Sequence, residues 1–170
     1  MWEIISLLAA AAVHEAGHLT AARIIGVKKI SFTLKNLGGI LNFDFSKTTY
    51  AGEIIVHLSG GLAGLLSSLA AYCIFSSSEY TYIGASLTFA FVNFLPIRGF
   101  DGGGILNAVL SSFMLPDYSY KICRIASDIA VFVFLTTVIW IEIKIYPNLG
   151  LLYFALTAVI QKLCDDTTRI

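Results

Sequence analysis

The chain has 170 residues, of which 57% are hydrophobic and only 13% charged. Soluble domains run at roughly 45–50% apolar and about 25% charged, so the composition is that of a membrane protein. The formal net charge is zero, which gives no case for nucleic-acid binding, and the length allows one compact bundle without a large soluble appendage.

Residues 2–25 predict a first membrane helix. At about 1.5 Å per residue the segment matches a hydrocarbon core about 30 Å thick. Its alanine run, Ala9 to Ala12, favours helix and lets neighbours approach closely. Met1-Trp2-Glu3 is not a basic leader, and the stretch behind it carries histidines and a glutamate, so no signal peptide is expected here. Within this helix lies His14-Glu15-Ala16-Gly17-His18. Two histidines four apart point the same way from a helix, an arrangement that suits a zinc ion, with Glu15 beside them to handle a water proton. Ionisable groups inside a span cost a few kcal/mol each unless partnered, so their default reading is functional. The alternative is a polar network that holds helices together.

Residues 27–50 alternate apolar and polar side chains, from Val27, Ile30, Phe32 and Leu34 to Ile40, Leu41, Phe43 and Phe45. That period predicts two strands with a turn near Asn36 to Gly39. A lone hairpin is marginal, so its apolar face is expected on the helices or in the membrane interface. Residues 51–75 predict a second span that opens with Glu53 and His57. Its glycines, Gly60, Gly61 and Gly64, form a small-residue face suited to close helix packing. A third span is expected from Tyr80 or Tyr82 to Leu95, with the tyrosines at one interface and Pro96 and Gly99 breaking the helix.

Residues 101–114 predict a short helix that does not cross, beginning near Asp101. Residues 123–145 predict another span, and 149–163 a last, short one ending in the polar tail of Lys162, Asp165, Asp166 and Arg169. Lys and Arg concentrate between spans one and two and between spans three and four. Five crossings then fit, with the N-terminus outside and the C-terminus in the cytosol. The HExxH motif falls in the cytosolic half of its helix. Cys73, Cys123 and Cys164 are far apart and read as small, largely buried side chains.

A catalytic zinc takes three protein ligands and keeps one position open. Asp101 is the best third candidate. It starts a helix and is followed by Gly102, Gly103 and Gly104, which let backbone approach closely. Its carboxylate also suits a helix N-cap, the structural alternative. Glu53 and His57 are weaker ligand candidates. Glu15 would accept a proton from the attacking water and pass it to the leaving amine. Because histidine ligates as neutral imidazole, acid is expected to release the ion. Asn93 would either hydrogen-bond an extended substrate or hold the chain around Pro96. A helical substrate must unwind before its carbonyls are accessible, and a strand at 40–45 could pair with it by edge addition.

His14-Glu15-xx-His18, together with Asn93-Phe94-Leu95-Pro96-Ile97-Arg98-Gly99-Phe100-Asp101-Gly102-Gly103, resembles the site-2 protease family of intramembrane zinc metalloproteases, peptidase family M50. The second stretch is similar to that family's NxxPxxxxDG signature. The likeness covers about residues 5–110 and looks closest to the bacterial branch of stage IV sporulation protein FB, without a PDZ or CBS domain.

The resemblance implies an all-α polytopic membrane fold with a small membrane-associated β-hairpin after the first helix and about five spans. Residues 1–114 would be the metalloprotease core and 115–170 trailing transmembrane helices. It implies one zinc per chain held by His14, His18 and Asp101, Glu15 as catalytic base, and Asn93 and Pro96 shaping the substrate site. The implied activity is a zinc metalloendopeptidase that cleaves transmembrane segments of membrane proteins in regulated intramembrane proteolysis. The implied location is the bacterial cell membrane with the site toward the cytosol, and the implied partners are a membrane-protein substrate, the lipid bilayer and a membrane regulator. Relatives often carry Gly-Pro-x-x-Asn in the second core helix, where this chain has Gly60-Gly61-Leu62-Ala63-Gly64. A rival reading is a proteolytically silent zinc-binding membrane protein that holds partner proteins. Another is a metal-binding transporter, for which few other buried charges are available.

Overall fold

A computed structural model of the chain describes residues 2–35, 38–74, 80–144, 152, 155–157 and 159–160. The chain divides into two compact units, Met1–Phe94 and Leu95–Ile170.

The first unit holds helix α1 (Trp2–Ile25), strands β1 (Ile30–Lys35) and β2 (Gly38–Phe43), and helices α2 (Tyr50–Ile74) and α3 (Tyr80–Asn93). The three helices pack on one another. α1 runs for 24 residues and stops at Gly26, whose φ of +86° takes the left-handed conformation that a glycine tolerates. The N–H groups of Gly26 and Val27 both return to the Ala22 carbonyl, at 3.0 and 2.9 Å, and so satisfy the helix end.

The strands pair antiparallel from Ile30↔Phe43 to Lys35↔Gly38. The expected hairpin is therefore present, but Gly38 and Gly39 belong to β2 rather than to the turn, and Asn36 and Leu37 lie outside the described residues. Its base rests on the helices, as the marginal stability of an isolated hairpin requires. Ile30, Phe43 and Phe45 pack on a buried cluster of Ala22, Val27 and Val56. Beyond β2, the Ser46 side chain and backbone N–H hydrogen-bond Asp44 and, with Lys29 and Lys47 nearby, hold its carboxyl below the ordinary range. Thr49 then caps α2, its Oγ1 accepting the Gly52 N–H at 3.1 Å.

α2 is built inside out. Its buried positions are Gly52, Val56, Gly60, Gly61, Gly64, Ser68 and Ala71, while Ile55, Leu62, Leu65, Leu66, Leu69 and Tyr72 are exposed. A helix in water buries its large apolar residues, whereas one in lipid turns small and polar residues inward and large apolar ones out. α3 has only 14 residues and ends at Asn93, two short of expectation. At about 21 Å it is shorter than a hydrocarbon core. Tyr82 does not keep its hydroxyl for an interface but donates it to Ser67 Oγ at 2.8 Å, tying α3 to α2.

The second unit holds α4 (Asp101–Phe113), the expected short helix, and α5 (Pro116–Lys144). α5 begins seven residues before the predicted span. Pro116 presets the first helical φ, and a polar first stretch with Asp117, Ser119, Lys121 and Arg124 hides the helix from a reading by hydropathy. α5 buries Ser119, Cys123, Ser127, Val131 and Val138 and exposes Ile125, Ile129, Phe132, Ile139 and Trp140. Ser119 is bonded to Asn107 and Ser111 of α4.

Among the described residues, α2 and α5 are long and apolar enough to cross a membrane. α1 has the length but carries the polar His14-Glu15-xx-His18 group. Most of 149–163, the expected last span, lies outside the described residues. The count of five crossings therefore stays an expectation.

Candidate metal centre

His14 and His18 sit one turn apart on α1 and are 3% and 4% exposed. Their Nε2 atoms are 3.0 Å apart, with the rings edge to face and centroids at 4.7 Å. The other nitrogen of His18, Nδ1, lies 2.7 Å from the carbonyl oxygen of Val56 on α2. A carbonyl only accepts, so Nδ1 carries the hydrogen and donates it. In the neutral ring this leaves Nε2 as a lone pair aimed at His14.

Such a lone pair 3.0 Å from a second ring nitrogen needs either a hydrogen carried by His14 Nε2 or a metal ion between the two. Two imidazoles on a tetrahedral zinc, at about 2.0–2.1 Å each, hold their nitrogens roughly 3.4 Å apart. The pair stands a few tenths of an ångström from that separation, and a backbone carbonyl behind a ligating histidine is the usual support for one. The residues fit a zinc ion.

The neighbours of the pair are shaped to seat the rings. Gly60 faces the His18 ring directly, and a Cβ there would stand 2.5 Å from Cε1 and 2.8 Å from Cδ2. Gly17 lets α1 approach α2 closely, its own Cβ position lying 2.7 Å from Ala63 Cβ. Phe89 of α3 closes on His14 at 4.9 Å between centroids. His57 lies 6.5 Å from His18 and 5.6 Å from Phe45, centroid to centroid.

Glu15 is half-buried beside His14, on the turn that both histidines share. Asn93 donates its Nδ2 to the Phe89 carbonyl one turn back, at 3.0 Å, so the side chain closes the end of α3 and leaves its carbonyl oxygen as an acceptor. Gly61 holds open the space that the Phe94 ring fills; a Cβ there would lie 2.7 Å from Cε2. Gly64 is different, because a Cβ would meet only Ser86 O at 3.6 Å and Ala90 Cβ at 3.8 Å, both ordinary contacts.

In the second unit, Pro96 stands in the turn that leads to α4, and Asp101 is the first helical residue. Asp101 is not the cap of α4. Phe100, with φ −102° and ψ 163°, occupies the cap position and supplies no side-chain hydrogen bond. A carboxylate in the first helical turn is still favoured by the helix dipole.

The four-residue spacing in the sequence gives the histidine pair but not its supports. Val56 contributes through a backbone carbonyl, which no side-chain pattern reveals. Gly60 and Gly61 were visible, but as helix packing, whereas each makes room for a ring. Phe89 carried no signal beyond lying four residues before Asn93.

The profile of Peptidase family M50 matches residues 2–85. That stretch includes His14-Glu15-xx-His18 and ends before Asn93 and Asp101. No curated protein matches the chain significantly. Among solved structures, the Site-2 Protease from Methanocaldococcus jannaschii is similar, with a TM-score of 0.70 at 23% identity, over 93% of this chain and 76% of that one. At such identity the likeness is one of fold.

Proposed function

We propose that this protein is an intramembrane zinc metalloendopeptidase of the site-2 protease kind, which hydrolyses peptide bonds in transmembrane segments of membrane proteins. The observation that carries the reading is the pair of buried Nε2 atoms at 3.0 Å, with His18 Nδ1 committed to the Val56 carbonyl. Its support is the M50 match across that helix and the site-2 protease fold.

His14 and His18 would hold the zinc, and Asp101 would be the third ligand, giving two imidazole nitrogens and a carboxylate oxygen, a donor set zinc accepts. Bound zinc would supply Lewis-acid polarisation of the scissile carbonyl and make water a better nucleophile. Glu15, off the metal, would take the proton from the attacking water and hand it to the leaving amine. The Asn93 carbonyl oxygen and the turn at Pro96 would line the path of an unwound substrate. β2 has β1 on one side only among the described strands, so its other edge could receive the substrate backbone.

The outward-facing leucines, isoleucines and aromatics of α2 and α5 support a location of these helices in lipid. A location in a bacterial cell membrane, five crossings, a cytosolic-side active site and a role in regulated proteolysis complete the proposal.

The test is Glu15→Gln in full-length protein co-expressed with a single-span membrane substrate. Zinc content stays at the wild-type level, because the ligands remain, while cleavage is lost. Equal cleavage by mutant and wild type would refute the assignment.

A further inference from the structure

We propose that α5 positions the loop that carries Asp101, acting through Arg98, with Tyr120 and Ser127 as positioning residues for the metal centre. This rests on Asp101 being a ligand. α5 is then part of the machinery rather than a trailing span.

The loop from Leu95 to Phe100 is tightly folded. Ile97 is fully buried, Gly99 takes φ +89°, and the Phe100 N–H returns to the Ile97 carbonyl at 3.0 Å. Gly103 of α4 abuts that same carbonyl so closely that a Cβ would stand 2.7 Å from its carbon. These contacts fix the loop against the start of α4 but do not fix it in space. Hydrogen bonds from Arg98, three residues before Asp101, to α5 do that. The Arg98 backbone N–H donates to Ser127 Oγ at 3.0 Å, and Nη1 donates to the Tyr120 hydroxyl at 3.0 Å. The guanidinium carbon also lies 5.7 Å from the Tyr120 ring centroid.

Ser127 is fully buried. The threonine hydroxyls further along this helix bond back to their own helix: Thr136 to Phe132 and Thr137 to Val133. The Ser127 oxygen takes an N–H from a segment 29 residues away. A polar residue inside an apolar helix, spent on the loop before a ligand, acts as an outer support of that ligand does at metal sites. Loss of such a support typically weakens metal affinity by about 10–100-fold.

The experiment measures zinc affinity of the full-length protein in detergent, by competition with a chromophoric chelator, alongside the absorption spectrum of the cobalt-substituted form and thermal melting. Ser127→Ala and Tyr120→Phe each weaken zinc binding by about tenfold or more and shift the cobalt spectrum. Ser127→Thr keeps the hydroxyl and restores both. Ser119→Ala is the control, because Ser119 is equally buried on the same face of α5 but bonds Asn107 and Ser111 rather than the loop. It leaves zinc affinity near wild type. Wild-type affinity in both Ser127→Ala and Tyr120→Phe would overturn the proposal, as would an equal loss in Ser119→Ala. If Ser127→Ala does not fold, Tyr120→Phe decides alone. Asp101→Asn separates the two levels. Unchanged zinc binding there removes Asp101 from the ligand set and the proposal with it. Weakened binding there, beside unaffected Ser127 and Tyr120 variants, removes only the role of α5.

Discussion

Gly60→Ala puts one methyl group against the His18 ring. The new Cβ would stand 2.5 Å from Cε1 and 2.8 Å from Cδ2, whereas carbon atoms in contact settle at about 3.5–4.0 Å. The ring must therefore retreat by about 1 Å. It cannot do so freely, because Nδ1 is held at 2.7 Å by the Val56 carbonyl, four residues before Gly60 on the same helix. Either that bond breaks or α1 and α2 separate, and Gly17 against Ala63 shows how little slack that interface has. Overpacking of this kind costs about 1–3 kcal/mol, while replacing a helical glycine by alanine returns about 0.5–1 kcal/mol. The net loss of stability is then small, on the order of 1 kcal/mol, and the chain still folds.

The local effect is much larger than the global one. Displacing a ligating ring from its backbone support lowers metal affinity by about 10–100-fold. The assay is zinc content after dialysis against a graded series of chelator concentrations, with a melting curve taken on each sample. Gly64→Ala is the matched comparison, one turn along the same helix, where the added methyl meets only ordinary contacts at 3.6 and 3.8 Å. It retains zinc like the wild type and melts at the same temperature or slightly higher. If Gly60→Ala also retained zinc like the wild type, the His18 ring would not be the seat of the metal and the reasoning from its hydrogen bond would fail.

Gly61→Ala drives the Phe94 ring from its place, so cleavage falls, and the double change with Phe94→Leu recovers part of it; no recovery would disconnect the two residues. Gly26→Ala meets no neighbouring atom, and its effect is purely the φ of +86°; a melting curve should register a loss of about 1 kcal/mol without any change in zinc content. Asn93→Ala removes the bond to the Phe89 carbonyl and the acceptor beyond it. Cleavage kinetics should show KM rising more than kcat falls, and an unchanged KM would leave Asn93 as a helix terminator only. Proline placed in turn at positions 40–45 should lower cleavage more than alanine does at the same positions, because it removes a backbone N–H from the strand; equal rates throughout would end the edge-addition idea.

The elements whose physics is local were legible. The alanine-rich α1, the alternation of 30–43 and the short helix at Asp101 each follow from the period of side chains and from breakers such as Pro96 and Gly99. The start of α5 was not, because a hydropathy reading discounts Asp117, Ser119, Lys121 and Arg124, although the helix holds them after Pro116. The histidine pair was legible because four-residue spacing on a helix is a geometric statement by itself.

The rest of the site is made of things a sequence states only ambiguously. A glycine at a helix interface reads the same whether it admits a neighbouring backbone, as Gly17 does toward Ser59 and Ala63, or an imidazole ring, as Gly60 does. The distinction depends on which residue lies opposite, and α1 and α2 are brought opposite one another only by the fold. The same holds for Val56, whose side chain belongs to the cluster under the hairpin while its carbonyl sets the tautomer of His18. One residue thus joins the packing of β1 and β2 to the chemistry of α1. A disturbance of the hairpin base at Phe45 therefore reaches the His18 ring through Val56, while Phe43 faces that ring directly at 6.3 Å between centroids. Phe45→Ala should consequently lower zinc affinity as well as stability, and a variant that loses stability alone would show that the Val56 carbonyl holds its position without the hairpin.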